Sequence, residues 1–260
     1  MKEVLQFIHQ KQQEFAQLPL FKFLADSHVD ANQKLAFAPY FAFFVMNYAE
    51  LNKHILRDEP TDDAIQALIN DHTYEEETHW IWFMEDLKQL QVDHRMHFTD
   101  AIQFLWGEET KVQRQVIYKL FRLAFQATPL EKLVITEAIE ATADVFLDAT
   151  RSAVNELREI TNRKYRYFGE IHVIADSSHA MYSQEITAFV ENIQLTDQMQ
   201  QNLLQLVDQV YDIFTHLMDD LLLRAKMQKL HQFENLEKDK HMESERLVAI
   251  AASHAVYVAH

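Results

Sequence analysis

The sequence predicts an all-α fold, a single helical domain over residues 1–260 arranged as one bundle of seven to eight helices. Two features of the composition lead to this expectation. The chain of 260 residues is 48% hydrophobic, which suffices for a sizeable core, yet it contains only 2 Gly and 4 Pro. Folds rich in β-structure need many turns with positive φ, which glycine supplies, so this composition favours long helices joined by few connections.

Apolar periodicity and capping residues predict the individual helices in order. Pro19 is expected to stop the first helix, Thr61 to cap the fourth, and Pro129 to occupy the first turn of the sixth. The polar stretch 91–108, with its glycine at 107, is expected to interrupt the bundle. The expected helices span 2–17, 20–25, 31–57, 62–90, 109–126, 129–157, 164–191 and 197–230, with a last segment over 238–258.

The charge balance and the cysteine count limit the classes of function. The net charge is -16, and an acidic chain is a poor partner for nucleic acid or an anionic membrane, which both attract Lys and Arg. Because the chain has no cysteine, a disulfide and a thiolate metal ligand are excluded. The N-terminal segment lacks the apolar core of a signal peptide, and no apolar run reaches the roughly 18 residues that span a bilayer. We therefore expect a cytoplasmic protein that binds neither nucleic acid nor membrane.

Three predicted helices carry ionisable residues on the face that should pack in the core. In the helix over 62–90, His72, Glu76 and His79 share a face with aliphatic and aromatic residues, because helical neighbours lie three, four and seven positions apart. The apolar members of that face are Ile65, Ile69, Trp80, Phe83, Leu87 and Leu90. This helix is therefore expected to turn two imidazoles and a carboxylate into the interior.

The other two helices repeat the pattern. In the helix over 164–191, His172, Asp176 and His179 fall on one stripe with apolar residues, within two helical turns. In the helix over 129–157, Glu140 stands among apolar and small neighbours at the same spacings, namely Leu133, Thr136, Ala143 and Leu147. Glu140 is accordingly expected to be buried.

Buried carboxylates on three helices indicate a shared cation, because an isolated buried carboxylate is costly and would normally be neutral. Mixed imidazole and carboxylate ligation suits a divalent, redox-active metal, and two such ions would use six ligands well. The candidate ligands are Glu76, His79, Glu140, His172, Asp176 and His179. Simpler interpretations stay open for each residue alone, since a single histidine on an apolar face is usually a core histidine bonded to a backbone carbonyl.

These residues resemble the ligand set of the haem-oxygenase-like diiron oxidases. The resemblance rests on Glu76-x2-His79, on Glu140 within Ala138-Ile139-Glu140-Ala141, and on His172-x3-Asp176-x2-His179, in this order along the chain. It implies a haem-oxygenase-like bundle with two iron ions, or an iron and a manganese ion, in its middle. It also implies O2 as a cosubstrate and a fatty acid, amino acid or amine as substrate. In this family Glu76 and His79, with His172, would hold one ion, and Glu140, Asp176 and His179 the other.

Other proteins with this fold fit the sequence less well. Thiaminase-like members need an active-site cysteine, haem oxygenases a glycine-rich distal helix, and the cofactor-free quinone-forming oxidases lack this ligand set. Relatives that make p-aminobenzoate carry a tyrosine before the middle glutamate, where this chain has Ile139. Some diiron members have a glutamate where this chain has His72, which is therefore an extra ligand or a residue behind the ligands. In total length the chain is similar to the 1-alkene-forming fatty-acid decarboxylases.

The substrate pocket is predicted beside the aromatic run of the third helix. Its expected lining residues are Tyr40, Phe44, Asn47 and Tyr48, although such a run is more often plain core. Tyr74, Thr136 and Asn47 are expected to lie behind the ligands, that is, to contact ligand side chains without binding the metal themselves.

Two other functions stay open. A ferritin-like carboxylate protein would need Glu50 as a ligand from the helix over 31–57. A non-catalytic helical interaction protein would bind no metal and would use its histidines as structural core residues. The helix over 197–230 and the apolar segment 247–258 would either form a homodimer or pack within the chain.

Overall fold

The chain is helical in every part that the structure describes. The computed structural model describes residues 1–93, 96–177 and 183–257, and their side chains except those of 177 and 228–257. Within these ranges there is no β-strand. The predicted all-α class is therefore confirmed.

The helices follow the expected order, but α7 was not expected, and α12 joins the two segments predicted over 197–230 and 238–258. They are α1 (Lys2–Phe15), α2 (Pro19–Ala25), α3 (Ala31–Lys34), α4 (Ala38–Leu51), α5 (Ala64–Glu76), α6 (His79–Gln89), α7 (Phe98–Trp106), α8 (Lys111–Ala124), α9 (Pro129–Thr161), α10 (Glu170–Ser177), α11 (Gln184–Glu191) and α12 (Asp197–Tyr257). A π-helical turn, Asn52–Leu56, extends α4, and a 3₁₀ turn, Glu108–Thr110, precedes α8.

Three of the expected helices are each divided into two. The helix predicted over 31–57 breaks because Pro39 lies in the first turn of α4, where its missing N–H is tolerated. The helix predicted over 62–90 breaks between Glu76 and His79. The segment predicted over 164–191 begins with a loop at 162–169 and continues as α10 and α11, with 178–182 outside the described residues. Each break was hidden by apolar periodicity that continues across it.

Capping explains where the long helices begin. The expected Thr61 cap of α5 is wrong, because Asp63 accepts hydrogen bonds from the N–H groups of the two residues that follow Ala64. For α9, Thr128 and Glu131 form a capping box, and proline at the first turn agrees with the prediction. The stretch 91–108, expected to be irregular, contains α7, whose residues are all at least partly exposed.

Helix α9 lies at the centre of the bundle. It packs against α12, α5, α1 and α2, and α3, α8 and α10 also contact it. Its buried positions run from Lys132 to Leu157, and Glu140 lies among them, well inside a helix surrounded by others. None of the described helices combines the length and the apolar character needed to cross a membrane.

Candidate metal centre

Six ionisable side chains meet in the interior where α5, α6, α9 and α10 approach one another. Each of them is at most 6% exposed. Helix α5 contributes His72 and Glu76, α6 begins with His79, and α9 contributes Glu140. The remaining two, from α10, are His172 and Asp176. All six were singled out from the sequence, His72 as an extra ligand or a residue behind the ligands.

One group of ligand atoms is formed by Glu76, His79 and His172. These atoms all lie within 4.8 Å of one another. The Nδ1 atom of His79 is 3.2 Å from Oε2 of Glu76 and 2.9 Å from Nε2 of His172. Asp176 adjoins the same group, with its Oδ1 atom 3.5 Å from Nε2 of His172 and 4.0 Å from Nδ1 of His79. This group therefore offers two imidazoles and two carboxylates to a cation.

A second group contains His72, Glu76 and Glu140, also within 4.8 Å of one another. The Nε2 atom of His72 is 3.3 Å from Oε1 of Glu140. The hydroxyl of Tyr48 donates to the same Oε1 atom at 3.1 Å. Because Glu76 belongs to both groups, its carboxylate stands where it could bridge two cations.

The structure groups the candidate ligands differently from the two ligand sets that the resemblance implies for the two ions. The resemblance pairs Asp176 with Glu140, whereas the distances given above join Asp176 to His79 and His172. His72, at the position where some diiron members have a glutamate, lies beside Glu140. His179, the sixth predicted ligand, lies outside the described residues, and its role stays a prediction.

The negative charge of the buried carboxylates must be balanced within the cluster. No lysine or arginine is among the described residues that line the adjoining cavity. Burial and the nearby carboxylates of Glu140 and Glu76 raise the pKa of Asp176 above its usual value. Burial alone would lower the pKa of His72, but Glu140 outweighs it and raises the pKa to about 9. Burial would raise the pKa of Glu76, yet His79 holds it below its usual value.

The raised pKa values of Asp176 and His72 have one common meaning, whereas Glu76 stays ionised beside His79. In the absence of a metal, the cluster retains protons that compensate its carboxylates. Divalent cations would supply that positive charge and displace those protons. Three carboxylates and three imidazoles are also the donor types that Fe(II) and Mn(II) accept. The residues present therefore fit the metal pair that the resemblance implies.

Aromatic side chains hold the imidazoles in place. The ring of Trp82 stacks on His79, with centroids 4.4 Å apart and an interplanar angle of 20°. The Arg166 guanidinium covers Trp82 at 4.9 Å from its centroid. Tyr167 packs against His172 at 4.7 Å. Sequence reasoning missed Trp82 and Tyr167, because the first lies off the apolar stripe and the second precedes its helix.

An apolar cavity of about 60 Å³ adjoins the cluster, enough for a few water molecules. Helices α4, α9 and α12 supply its apolar wall, chiefly Phe41, Phe44, Val45, Phe146, Leu147, Phe214, Leu217 and Met218. Phe44 and Tyr48 line this cavity, as the sequence predicted for the pocket. Its only acidic lining residues, among those described, are the carboxylates of the cluster.

Tyr40 and Asn47, the other two predicted pocket residues, do not line the cavity. The ring of Tyr40 packs on Phe104 at 5.3 Å, and the amide of Asn47 donates to the Phe43 carbonyl at 2.9 Å. The reason is helical geometry, since residues 41, 44, 45 and 48 share one face of α4 and residues 40 and 47 do not.

Two further expectations are corrected by the structure. Tyr74 is 50% exposed, and its hydroxyl donates to Glu59 at 2.9 Å, so it does not lie behind the ligands. Glu50 has an exposed side chain that pairs with His54 at 3.2 Å, so the ligand order of a ferritin-like protein is not formed. Thr136 is fully buried one helical turn before Glu140, and its expected role behind the ligands stays a prediction.

The sequence and the structure were compared with known proteins. No family model matches the sequence, and no curated protein sequence matches it. Among the solved structures that match is a domain of unknown function with a haem-oxygenase-like fold from Shewanella denitrificans. The two chains share 10% sequence identity and a TM-score of 0.61, over 89% of this chain and 94% of the other. At 10% identity the likeness is evidence of the fold and of nothing further. The chain therefore has a haem-oxygenase-like fold.

Proposed function

We propose that the chain binds two iron ions, or an iron and a manganese ion, and uses O2 to oxidise a small organic substrate. The observation that carries the proposal is the pair of buried ligand groups that share Glu76 and open onto an apolar cavity. Core histidines with purely structural roles would not need three buried carboxylates beside them, because each buried charge is costly without a counter-charge.

The bound ions would supply the redox chemistry with O2, which protein side chains do not perform themselves. The chain's own residues fix the donors. Tyr48 directs Oε1 of Glu140 by donating to it, and the ring of Trp82 restrains His79 by stacking. Such support holds each donor in one orientation before a cation arrives, which favours metal affinity.

The cavity favours one orientation of the substrate. Its apolar wall excludes water and offers contacts to hydrocarbon, while its polar groups, among the described lining residues, are concentrated at the cluster. The charged or polar end of an acid or amine would therefore face the ligands, and its hydrocarbon part would face Phe146 and Phe214. The cavity of about 60 Å³ must widen for all but the smallest substrates.

Metal binding tests the proposal directly. The purified chain is analysed for metal, made metal-free, titrated with Fe(II) without oxygen, and then mixed rapidly with O2 while visible absorption is recorded. Two Fe(II) per chain and an absorbance change on mixing are expected. Glu140→Gln and His172→Ala should each reduce the stoichiometry or the affinity by at least tenfold.

The matched control is the double variant Glu50→Gln and His54→Ala, which removes an exposed acid–imidazole pair of the same chemistry. It should bind Fe(II) as the unaltered chain does. If the unaltered chain binds no Fe(II) and its melting temperature does not change with the metal, the proposal fails. The non-catalytic interaction protein would then be the better interpretation.

A further inference from the structure

Asp86 on α6 is a fully buried carboxylate that lies outside the ligand cluster, with 0% of its surface exposed. Its Oδ1 atom accepts the N–H of Arg166 at 2.7 Å, and its Oδ2 atom accepts the N–H of Phe168 at 2.9 Å. Both donors belong to the loop at 162–169, which leads into α10. Asp86 therefore fixes the backbone from which the His172 helix starts.

The second of these hydrogen bonds continues to the cluster through a single peptide unit. The Phe168 N–H and the Tyr167 carbonyl belong to the same peptide group, and that carbonyl accepts a hydrogen bond from Nδ1 of His172 at 2.8 Å. The bond between the two residues is trans, so its N–H and C=O point in opposite directions from one rigid plane. The peptide thus joins Asp86 to the imidazole without a flexible side chain between them.

The direction of this contact decides the proton on His172. A carbonyl oxygen can only accept, so Nδ1 must carry the proton. The lone pair of the neutral ring then lies on Nε2, which faces His79 at 2.9 Å within the first ligand group. A carboxylate that accepts from the peptide N–H also polarises the peptide and strengthens its carbonyl as an acceptor.

We infer that Asp86 is a positioning residue for His172: through the peptide between Tyr167 and Phe168 it selects the Nδ1–H tautomer and keeps Nε2 directed at the metal. This inference rests on the proposed metal site. A carboxylate behind a metal-bound histidine usually fixes the tautomer and the orientation of the ring by direct contact. Asp86 would do the same through one interposed peptide. A purely structural anchor would hold the loop without determining which ring nitrogen is protonated.

The test compares Asp86→Asn with Glu85→Gln. The adjacent Glu85 is a matched control, because it contacts the Arg166 guanidinium at 3.1 Å from the same helix but does not reach the peptide. Asparagine keeps the shape of the side chain, but its NH2 group opposes one of the two N–H donors. The first readout is the 15N chemical shifts of the His172 ring in the metal-free chain, at a pH where the ring is neutral. The second is Co(II) affinity by calorimetry.

The unaltered chain and Glu85→Gln should show the Nδ1–H tautomer, whereas Asp86→Asn should populate the Nε2–H tautomer and bind Co(II) about 10- to 100-fold more weakly. Unchanged tautomer and affinity in Asp86→Asn would overturn the inference. An Nε2–H tautomer in the unaltered chain would also overturn it, and this measurement needs no variant to fold.

The two proposals fail separately. If the unaltered chain binds no Co(II) or Fe(II), the proposed function is lost, while the ring shifts of the metal-free chains still decide the role of Asp86. If His172→Ala abolishes binding but Asp86→Asn leaves the tautomer and the affinity unchanged, the metal site stands and Asp86 is only a structural anchor.

Discussion

The ionisation of Asp86 should make the free energy of unfolding depend measurably on pH. Burial raises the pKa of this carboxyl group from 3.8 to about 6, and the backbone N–H groups of Phe168, Arg166 and Tyr167 offset that rise only in part. A rise of about two units corresponds to about 3 kcal/mol, at 1.36 kcal/mol per unit. The folded chain therefore binds this proton more tightly than the unfolded chain does.

The sign of the effect follows from that difference. Asp86 stabilises the fold fully below about pH 4, and this contribution is lost as the pH rises from about 4 through 6. Asp86→Asn lacks the titration, so its free energy of unfolding should improve relative to the unaltered chain by about 3 kcal/mol over that range. At the acidic end the variant should be less stable by about 1–3 kcal/mol, because one N–H loses its acceptor.

Urea denaturation from about pH 3.5 to about pH 7.5 covers both effects, with Glu85→Gln as the control for loss of a neighbouring charge. The difference between Asp86→Asn and the unaltered chain should change with pH, and that of the control should change much less. Curves for Asp86→Asn and the unaltered chain that stay parallel over this range would refute the burial argument. They would mean that the carboxyl group titrates alike in the folded and unfolded chains.

Three other substitutions test the site. Gly169→Ala would bring a Cβ atom within 2.3 Å of the Tyr165 carbonyl oxygen, so a lower melting temperature and weaker Co(II) binding are expected; unchanged values would show that the loop adapts freely. Tyr48→Phe removes the hydrogen bond to Glu140 and should weaken Fe(II) binding by several-fold without a large loss of stability, and equal affinity would argue against this support. Trp82→Phe should reduce the quenching of tryptophan fluorescence by Co(II), since Trp82 stacks on a ligand imidazole, while Trp80 beside the cavity should still be quenched; undiminished quenching would show that Trp82 does not lie beside the metal.

Local sequence rules predicted the fold class and most of the cluster, because both depend on helical spacing. His72 and Glu76 lie one turn apart on α5, and His172 and Asp176 one turn apart on α10, so each pair could be placed on one face from the sequence. The burial of Glu140 followed from its apolar neighbours. These inferences needed no knowledge of how the helices pack.

The rest depended on tertiary structure. The break between α5 and α6 changes how His79 faces Glu76, and an unbroken apolar pattern gave no sign of it. The peptide between Tyr167 and Phe168 hydrogen-bonds to both Asp86 and His172 through backbone atoms. Side-chain patterns in the sequence do not predict such backbone contacts. Asp86 did carry a signal, since it lies seven residues after His79 and beside Phe83 on the apolar stripe. A carboxylate at that position was as unexpected for a core face as Glu76.

The shared position of Glu76 has a consequence for how the two ligand groups can be filled. A cation at one group would draw the common carboxylate toward itself and lower the negative charge left for the other, and the two cations would also repel each other. Occupancy of the two positions is then thermodynamically linked, and each ion alters the affinity for its neighbour by the same factor. A chain with one ion would be a distinct chemical species rather than half of the two-ion protein, and a single substitution at Glu76 would remove a donor from both.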